Sequence, residues 1–156
     1  MDTAGKGFDE ERSEDDPSTR NPDQAQRTAA EVRRLLSRGV SPEDVAVITP
    51  YYAQVRELRD LLSDVAGLEI DTVDGFQGRE KQAVVVDLVR SNREGQLGFL
   101  NDTRRMNVAL TRARRFLLVV GDSATLGEHP YYDAFLEAVE QTGTWMSAWT
   151  DEAEPL

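Results

Sequence analysis

The chain of 156 residues contains no cysteine and a single histidine, His129. Disulfides and thiolate metal sites are therefore excluded, and one imidazole cannot build a histidine metal cluster. Lysine is nearly absent, with Lys6 and Lys81 standing against sixteen arginines. That bias, together with the excess of acids, fits a salt-adapted source and GC-rich coding equally well. Long apolar runs are also lacking. The longest, Ala83 to Val86 and Phe116 to Val120, fall far short of a membrane span. The N-terminus is acidic where a signal peptide is basic and apolar, so a soluble, intracellular (cytoplasmic) protein with no membrane partner is expected.

What remains is enough for one domain with a real hydrophobic core and too little for two of ordinary size. The net charge of −11 argues against a generic nucleic-acid binder, which usually shows a basic footprint. Its distribution changes that reading. Residues 1 to 16 hold seven acids against two bases, whereas residues 77 to 115 hold nine bases against four acids. The basic charge is thus gathered in one segment, as expected if one face meets phosphates and the rest is solvated.

Residues 1 to 20 are polar, acidic and aperiodic and read as a flexible loop or disordered arm, with the folded domain at 21 to 150. Ala4-Gly5-Lys6-Gly7 superficially suggests a phosphate loop but lacks the upstream Gly and the Ser or Thr after Lys. Asn21-Pro22-Asp23-Gln24 is a helix start, followed by an apolar face of Ala25, Ala29, Val32, Leu35 and Leu36 that ends near Gly39. A strand is expected at Val45 to Thr49, a helix at Tyr52 to Ser63, and a strand at Leu68 to Val73. Ala83 to Val89 and Phe116 to Val120 have the continuous apolar, β-branched character of strands buried on both faces. Pro130 opens a last helix, and His129 before it reads as a turn residue. This alternation implies a mostly parallel sheet covered on both sides, with ligands at the carboxyl ends of its strands.

Two stretches carry most of the functional information, each expected to join a strand to a helix. Thr72-Val73-Asp74-Gly75-Phe76-Gln77-Gly78-Arg79-Glu80-Lys81 is a Gly-flanked polar loop holding a carboxylate and bases. Arg104-Arg105-Met106-Asn107-Val108-Ala109-Leu110-Thr111-Arg112-Ala113-Arg114 strings arginines along an expected helix whose Met106, Ala109, Leu110 and Ala113 face a core. Planar, permanently charged guanidinium groups left over at such a place suit phosphate.

These stretches resemble motifs V and VI of superfamily 1 helicases, in the group of the nonsense-mediated-decay helicase, senataxin and the immunoglobulin-mu-binding helicases. Val47-Ile48-Thr49-Pro50-Tyr51 with Gln54 resembles the segment opening that group's second RecA-like domain. Val89-Arg90-Ser91-Asn92, followed by Gly98-Phe99-Leu100-Asn101-Asp102, also matches. The resemblance runs from about Asp2 to about Ala148. It implies an α/β, RecA-like (P-loop NTPase-type) three-layer fold with a mostly parallel sheet and no P-loop of its own.

The resemblance also implies residue roles. Arg112, in Leu110-Thr111-Arg112-Ala113, matches the catalytic arginine finger that reaches the γ-phosphate of ATP, while an ordinary helix-surface salt bridge is the plainer alternative. Arg105, seven positions earlier on the same expected face, either helps with phosphate or pairs with Glu80 or Asp102. Glu80 matches a ribose-contacting carboxylate, with a charge partner for Arg79 or a motif VI arginine as the other reading. Gly78 fits close approach to the triphosphate or simply a tight turn, and Gln77 a polar contact coupling nucleotide to strand. Thr49, Pro50, Tyr51 and Gln54 imply nucleic-acid contact at a helix N-terminus, although Tyr51 and Tyr52 could be packing residues. Thr72 resembles a hydroxyl that touches the nucleic-acid backbone. Arg90, Ser91 and Asn92 imply either strand binding or loop stabilisation.

No Walker A sequence, Walker B Asp-Glu pair or Gln-Tyr-Arg segment is present, so the resemblance implies half of a motor beginning inside a larger protein. ATP would sit against an absent first RecA-like domain of the same parent, which would also hold most of the Mg2+. Single-stranded DNA or RNA would be the substrate. The alternatives are a non-catalytic helicase-like adaptor and, further off, a flavodoxin-like small-molecule binder.

Overall fold

The computed structural model describes residues 1–12 and 14–150. A short antiparallel hairpin of β1 (Glu11–Arg12) and β2 (Thr19–Arg20) precedes the main sheet. That sheet contains β3 (Val45–Thr49), β4 (Glu69–Thr72), β5 (Lys81–Asp87) and β6 (Ala113–Val120), all parallel, in the order β4-β3-β5-β6. The helices are α1 (Pro22–Ser37), α2 (Tyr52–Leu61), α3 (Thr103–Leu110), the single turn α4 (Ser123–Leu126) and α5 (Pro130–Thr142). No helix among the described residues is long and apolar enough to cross a membrane.

Side chains alternate across a strand, and here both faces are apolar. Val45, Val47, Ala83 and Val85 join one core cluster with Val32 and Leu35 of α1 and Val55 and Leu58 of α2. Ala46, Ile48, Val84 and Val86 face the other way, packing with Phe76, Met106 and Ala109 of α3, and Tyr132 of α5. Every residue of β3 is buried as a result. Helices lie on both faces of a parallel sheet, which is the RecA-like three-layer α/β arrangement expected.

Asn21 caps α1 as its sequence predicts, accepting from Gln24 N at 3.0 Å, with Pro22 at the first helical position. The arginine-bearing helix is shorter than expected. It ends at Leu110, where the Thr111 hydroxyl donates to the carbonyls of Asn107 and Val108. A β-branched hydroxyl residue competing for those carbonyls stops the helix. Arg112, Arg114 and Arg115 therefore lie on the turn and in β6, so Arg105 and Arg112 do not share a helical face.

The first functional stretch also differs from expectation. Val73 to Glu80 leads into no helix but crosses directly from the carboxyl end of β4 to the amino end of β5. Phe76 lies fully buried against the sheet, filling the place a helix would take, and Arg79 ties the loop to Glu69 at 2.7 Å and to the carbonyl of Gly75. β5 stops at Asp87 rather than running to Val89, whose φ of +67° is the only left-handed value at a non-glycine among the described residues. β6 is an edge strand, and Phe116, Leu117 and Val119 are only partly buried.

Residues 1 to 20, read as a loop or disordered arm, make specific contacts. Asp2 bridges in parallel to Gly121 and to Ser147, and the hairpin lies at the carboxyl end of the sheet. Ala4-Gly5-Lys6-Gly7 opens no helix, and the Lys6 ammonium sits 4.8 Å from the Trp149 ring centroid.

Candidate functional site

Two groups of candidate residues lie at opposite ends of the strands. Thr49 and Thr72 end β3 and β4, and Pro50, Tyr51 and Arg90 to Asn92 lie just beyond the carboxyl ends of β3 and β5. Gln77, Gly78 and Glu80 precede the amino end of β5, and Arg112 precedes the amino end of β6. The candidate residues thus do not all lie at the carboxyl ends, where ligands are expected to gather. The Val73 to Glu80 crossover runs the length of the sheet and joins the two groups.

At the amino end, the Arg112 carbonyl accepts from Lys81 N at 3.1 Å, fixing the turn against the start of β5. Its Nε donates to the Val108 carbonyl at 3.0 Å, and one Nη reaches the Thr111 hydroxyl at 3.5 Å. Among the described residues Arg112 has no carboxylate partner. Arg114, Arg79 and Arg105 do: they pair with Glu80 at 3.1 Å, with Glu69 at 2.7 Å, and with Asp74 at 3.4 Å and Asp102 at 3.5 Å, whereas Arg104 and Arg115, like Arg112, have none among the described residues. The Glu80–Arg114 pair is exposed and of the kind worth little, so Glu80 can exchange partners readily. Gly78 has φ +80° and open space where a Cβ would stand, so both its conformation and its bare backbone suit close approach by a ligand. Gln77 is exposed beside it.

Arg105 is not brought to this group. It links α3 to the crossover through Asp74 and lies 5.1 Å from the Phe99 ring centroid. Of the readings left open for it, pairing with Asp102 is the one this geometry displays, with Asp74 as a further partner.

At the carboxyl end, Tyr51 caps α2 without a side-chain hydrogen bond. Its hydroxyl accepts from Arg90 Nη1 at 3.1 Å and from Phe99 N at 3.2 Å, and its ring meets Phe99 edge-on. Gly98 is required here, because a Cβ would stand 2.9 Å from that hydroxyl and closer still to the Arg90 guanidinium. Thr49 is fully buried and its hydroxyl has no partner, while Pro50 is buried beside it. Thr72 accepts from Gly75 N at 3.1 Å, which starts the crossover.

Gln54, expected to touch nucleic acid, is corrected outright. It is 0% exposed, and its amide is fully used: Oε1 accepts from Asn21 N, and Nε2 donates to the Asn21 carbonyl and to Asp87. Asp87 is the centre of this network. Its carboxylate accepts from Gln24 Nε2 (2.7 Å), Gln54 Nε2 (2.8 Å), Thr28 Oγ1 (3.0 Å) and Val89 N (3.0 Å). Complete burial pushes its pKa above the ordinary carboxylate range, against the pull of those four hydrogen bonds.

That network holds the next segment in an unusual shape. Arg90 N donates to the Leu88 carbonyl at 2.7 Å across Val89, a tight turn with φ +67° that a β-branched residue adopts only under constraint. Asn21 Nδ2 grips the Val89 carbonyl at 3.1 Å. Arg90, only 6% exposed, then pairs with Glu10 at 2.9 Å. Ser91 donates to Asp122 at 2.7 Å, and the Asn92 side chain bridges Gln96 and Glu10.

One feature escaped sequence reasoning, and Tyr52, weighed there with Tyr51 as a packing residue, turns outward instead. Asp87 was visible only as an acid ending an apolar strand. Tyr52 is 53% exposed in the first turn of α2, with the Arg56 guanidinium 5.4 Å from its ring centroid. It offers an aromatic face at this end that Tyr51 does not.

Comparison with known proteins fits this geometry. The family described as "AAA domain" matches residues 1–124. The chain is 45% identical over 144 residues to DNA-binding protein SMUBP-2 of Mus musculus, covering 92% of the chain and 14% of that protein. It is 44% identical over 132 residues to DNA polymerase alpha-associated DNA helicase A of Schizosaccharomyces pombe, covering 80% of the chain and 20% of that protein. An uncharacterized ATP-dependent helicase of Methanocaldococcus jannaschii is 39% identical over 129 residues, covering 82% of the chain and 19% of that protein. The chain thus spans 14% to 20% of the length of these relatives.

Proposed function

The chain belongs to the AAA domain family and is a superfamily 1 helicase domain, and on that premise we propose that it is the second RecA-like domain of an ATP-driven motor working on single-stranded DNA or RNA. Arg112 carries this reading, because its guanidinium is fixed by a main-chain carbonyl and yet left without a carboxylate among the described residues. A charge held in that way is available to the γ-phosphate of an ATP bound between this domain and a first RecA-like domain. It would stabilise charge that develops during phosphoryl transfer. Glu80 would accept from the ribose hydroxyls after leaving Arg114, and Gly78 and Gln77 would line the approach to the triphosphate. Magnesium accompanying the nucleotide would be held mainly from the facing domain.

At the other end, Thr49, Pro50, Tyr51, Thr72, Arg90, Ser91 and Asn92 would border the path of the strand, with Tyr52 offering a face on which a base could stack. The Thr72 to Glu80 crossover supports coupling, since one loop holds a strand-side hydroxyl at its start and a nucleotide-side carboxylate at its end. Closure and reopening of the two domains around each ATP would advance the strand.

Steady-state hydrolysis in a polypeptide that also carries the first domain tests this. Arg112→Ala should lower the maximal rate by about 10³ to 10⁵ with little loss of nucleotide binding, while Glu80→Ala should mainly raise KM. An Arg112→Ala enzyme turning over at the parent rate would overturn the assignment.

A further inference from the structure

The acidic N-terminal segment lies on the donors that a nucleic-acid backbone would use. Glu10 Oε2 accepts three hydrogen bonds: from Arg90 Nε at 2.9 Å, Ser91 N at 2.8 Å and Asn92 Nδ2 at 3.1 Å. Independently, the Ser18 hydroxyl accepts from Ala53 N at 3.1 Å, in the first turn of α2. Asp16 pairs with Arg56 of that helix, and Glu11 lies 3.5 Å from Arg20. One short segment therefore occupies both anion-accepting positions at the carboxyl ends of the strands and neutralises two arginines outside itself, Arg90 and Arg56.

A guanidinium, a main-chain amide and a side-chain amide converging on one oxygen make an anion seat. Carboxylate and phosphate oxygens are interchangeable acceptors for such a set. The hairpin that carries Glu10 and Ser18 pairs through only two residues per strand, and Glu11, Arg12 and Arg20 are exposed. So short a ladder adds little to hold the segment in place beyond Glu10 N on the Ser91 carbonyl and Asn21 on the Phe8 carbonyl.

Resting on the nucleic-acid reading above, we propose that Arg90, Ser91 and Asn92 form a seat for a backbone phosphate of the bound strand, and that the acidic segment is its built-in competitor. Glu10 fills the seat in the free protein and leaves it when the strand arrives. Affinity for single strands is then set by the exchange of one anion for another, and neutralising Glu10 strengthens binding.

The test is a fluorescence-anisotropy titration of a labelled thymidine oligonucleotide against the full chain, its Glu10→Gln variant and a Glu140→Gln control. Glu140 is exposed near the end of α5, and both variants change the net charge equally. Glu10→Gln should tighten binding by at least about fivefold, the lower end of ordinary coupling between sites, and Glu140→Gln should leave it nearly unchanged. In the wild-type chain, amide hydrogen exchange across the hairpin should quicken on saturation with the oligonucleotide, which decides the matter even if Glu10→Gln fails to fold. Equal effects of the two variants, weaker binding by Glu10→Gln, or hairpin protection that stays or grows would overturn the competitor while the wild-type titration leaves the nucleic-acid reading standing. Absence of binding by every protein at low salt would remove both.

Discussion

Arg112 and Arg114 are two residues apart, and only their surroundings separate them. Arg114 has Glu80 within 3.1 Å, whereas Arg112 has a carbonyl and a hydroxyl. If Arg112 acts through its planar fork, Arg112→Lys should resemble the alanine variant more than the parent in hydrolysis rate, because an ammonium on a flexible stem cannot reproduce two aligned donors. Full activity in the lysine variant would reduce its role to net charge. Asp87 makes a second prediction at this scale. Burial raises its folded-state pKa above the unfolded value, so its contribution is fully present below the ordinary carboxylate range and is lost as pH rises through the raised value. Asp87→Asn sets an amide against the Gln24 and Gln54 donors and should cost about 1–3 kcal/mol. In urea unfolding from about pH 4 to 8, the wild-type advantage over that variant should shrink as pH rises; a constant gap would show that Asp87 does not titrate in that range.

Among the elements, the crossover from β4 to β5 rests on Phe76. The ring is fully buried between the sheet and α3, and nothing else in Val73 to Glu80 reaches as deep except Val73 at its start. Phe76→Ala should lower stability by about 3–5 kcal/mol, as deletion of a buried aromatic does. Chemical denaturation reads this directly, and a loss below about 1 kcal/mol, the range of surface changes, would mean that the loop is not seated by its phenylalanine. The start of α1 is the counterpart case. Asn21 caps the helix and also donates to the Phe8 and Val89 carbonyls, so one residue ties the N-terminal segment, the helix and the strained turn at Val89 together. The cap was legible in Asn21-Pro22, since capping is local chemistry. The other two bonds were not, because their partners lie 13 and 68 positions away.

For the whole molecule, the proposal predicts that the isolated chain hydrolyses no ATP at a meaningful rate, which a purified sample with contaminant controls can check. Robust turnover that disappears in Arg112→Ala would mean that the domain is catalytic alone. The basic segment of residues 77 to 115 within a chain of net charge −11 predicts weak binding to single strands that falls steeply with salt and shows no sequence preference. Titration at several ionic strengths reads this, and tight binding indifferent to salt would contradict it. The opposing local charges belong to the same scale: Glu10 lies on Arg90 of the basic segment, and Asp16 on Arg56 of α2, so part of the basic charge at this end is neutralised by the chain's own acids.

Local periodicity was enough to place α1, β3, α2, β4 and the buried strand β5, because a parallel sheet covered on both faces demands unbroken β-branched runs and its helices an apolar stripe. The motifs, being short and contiguous, also identified the family. Where Arg112 sits was decided by tertiary structure, since the end of α3 depends on a Thr111 hydroxyl taking two carbonyls and on β6 pairing with β5. So was the conversion of Gln54 from an expected contact into a buried strut for Asp87, 33 positions away. Hydrogen bonds between distant residues leave no period in a sequence, and the same is true of the carboxylate of Glu10 on Arg90, which only the folded chain brings within 2.9 Å.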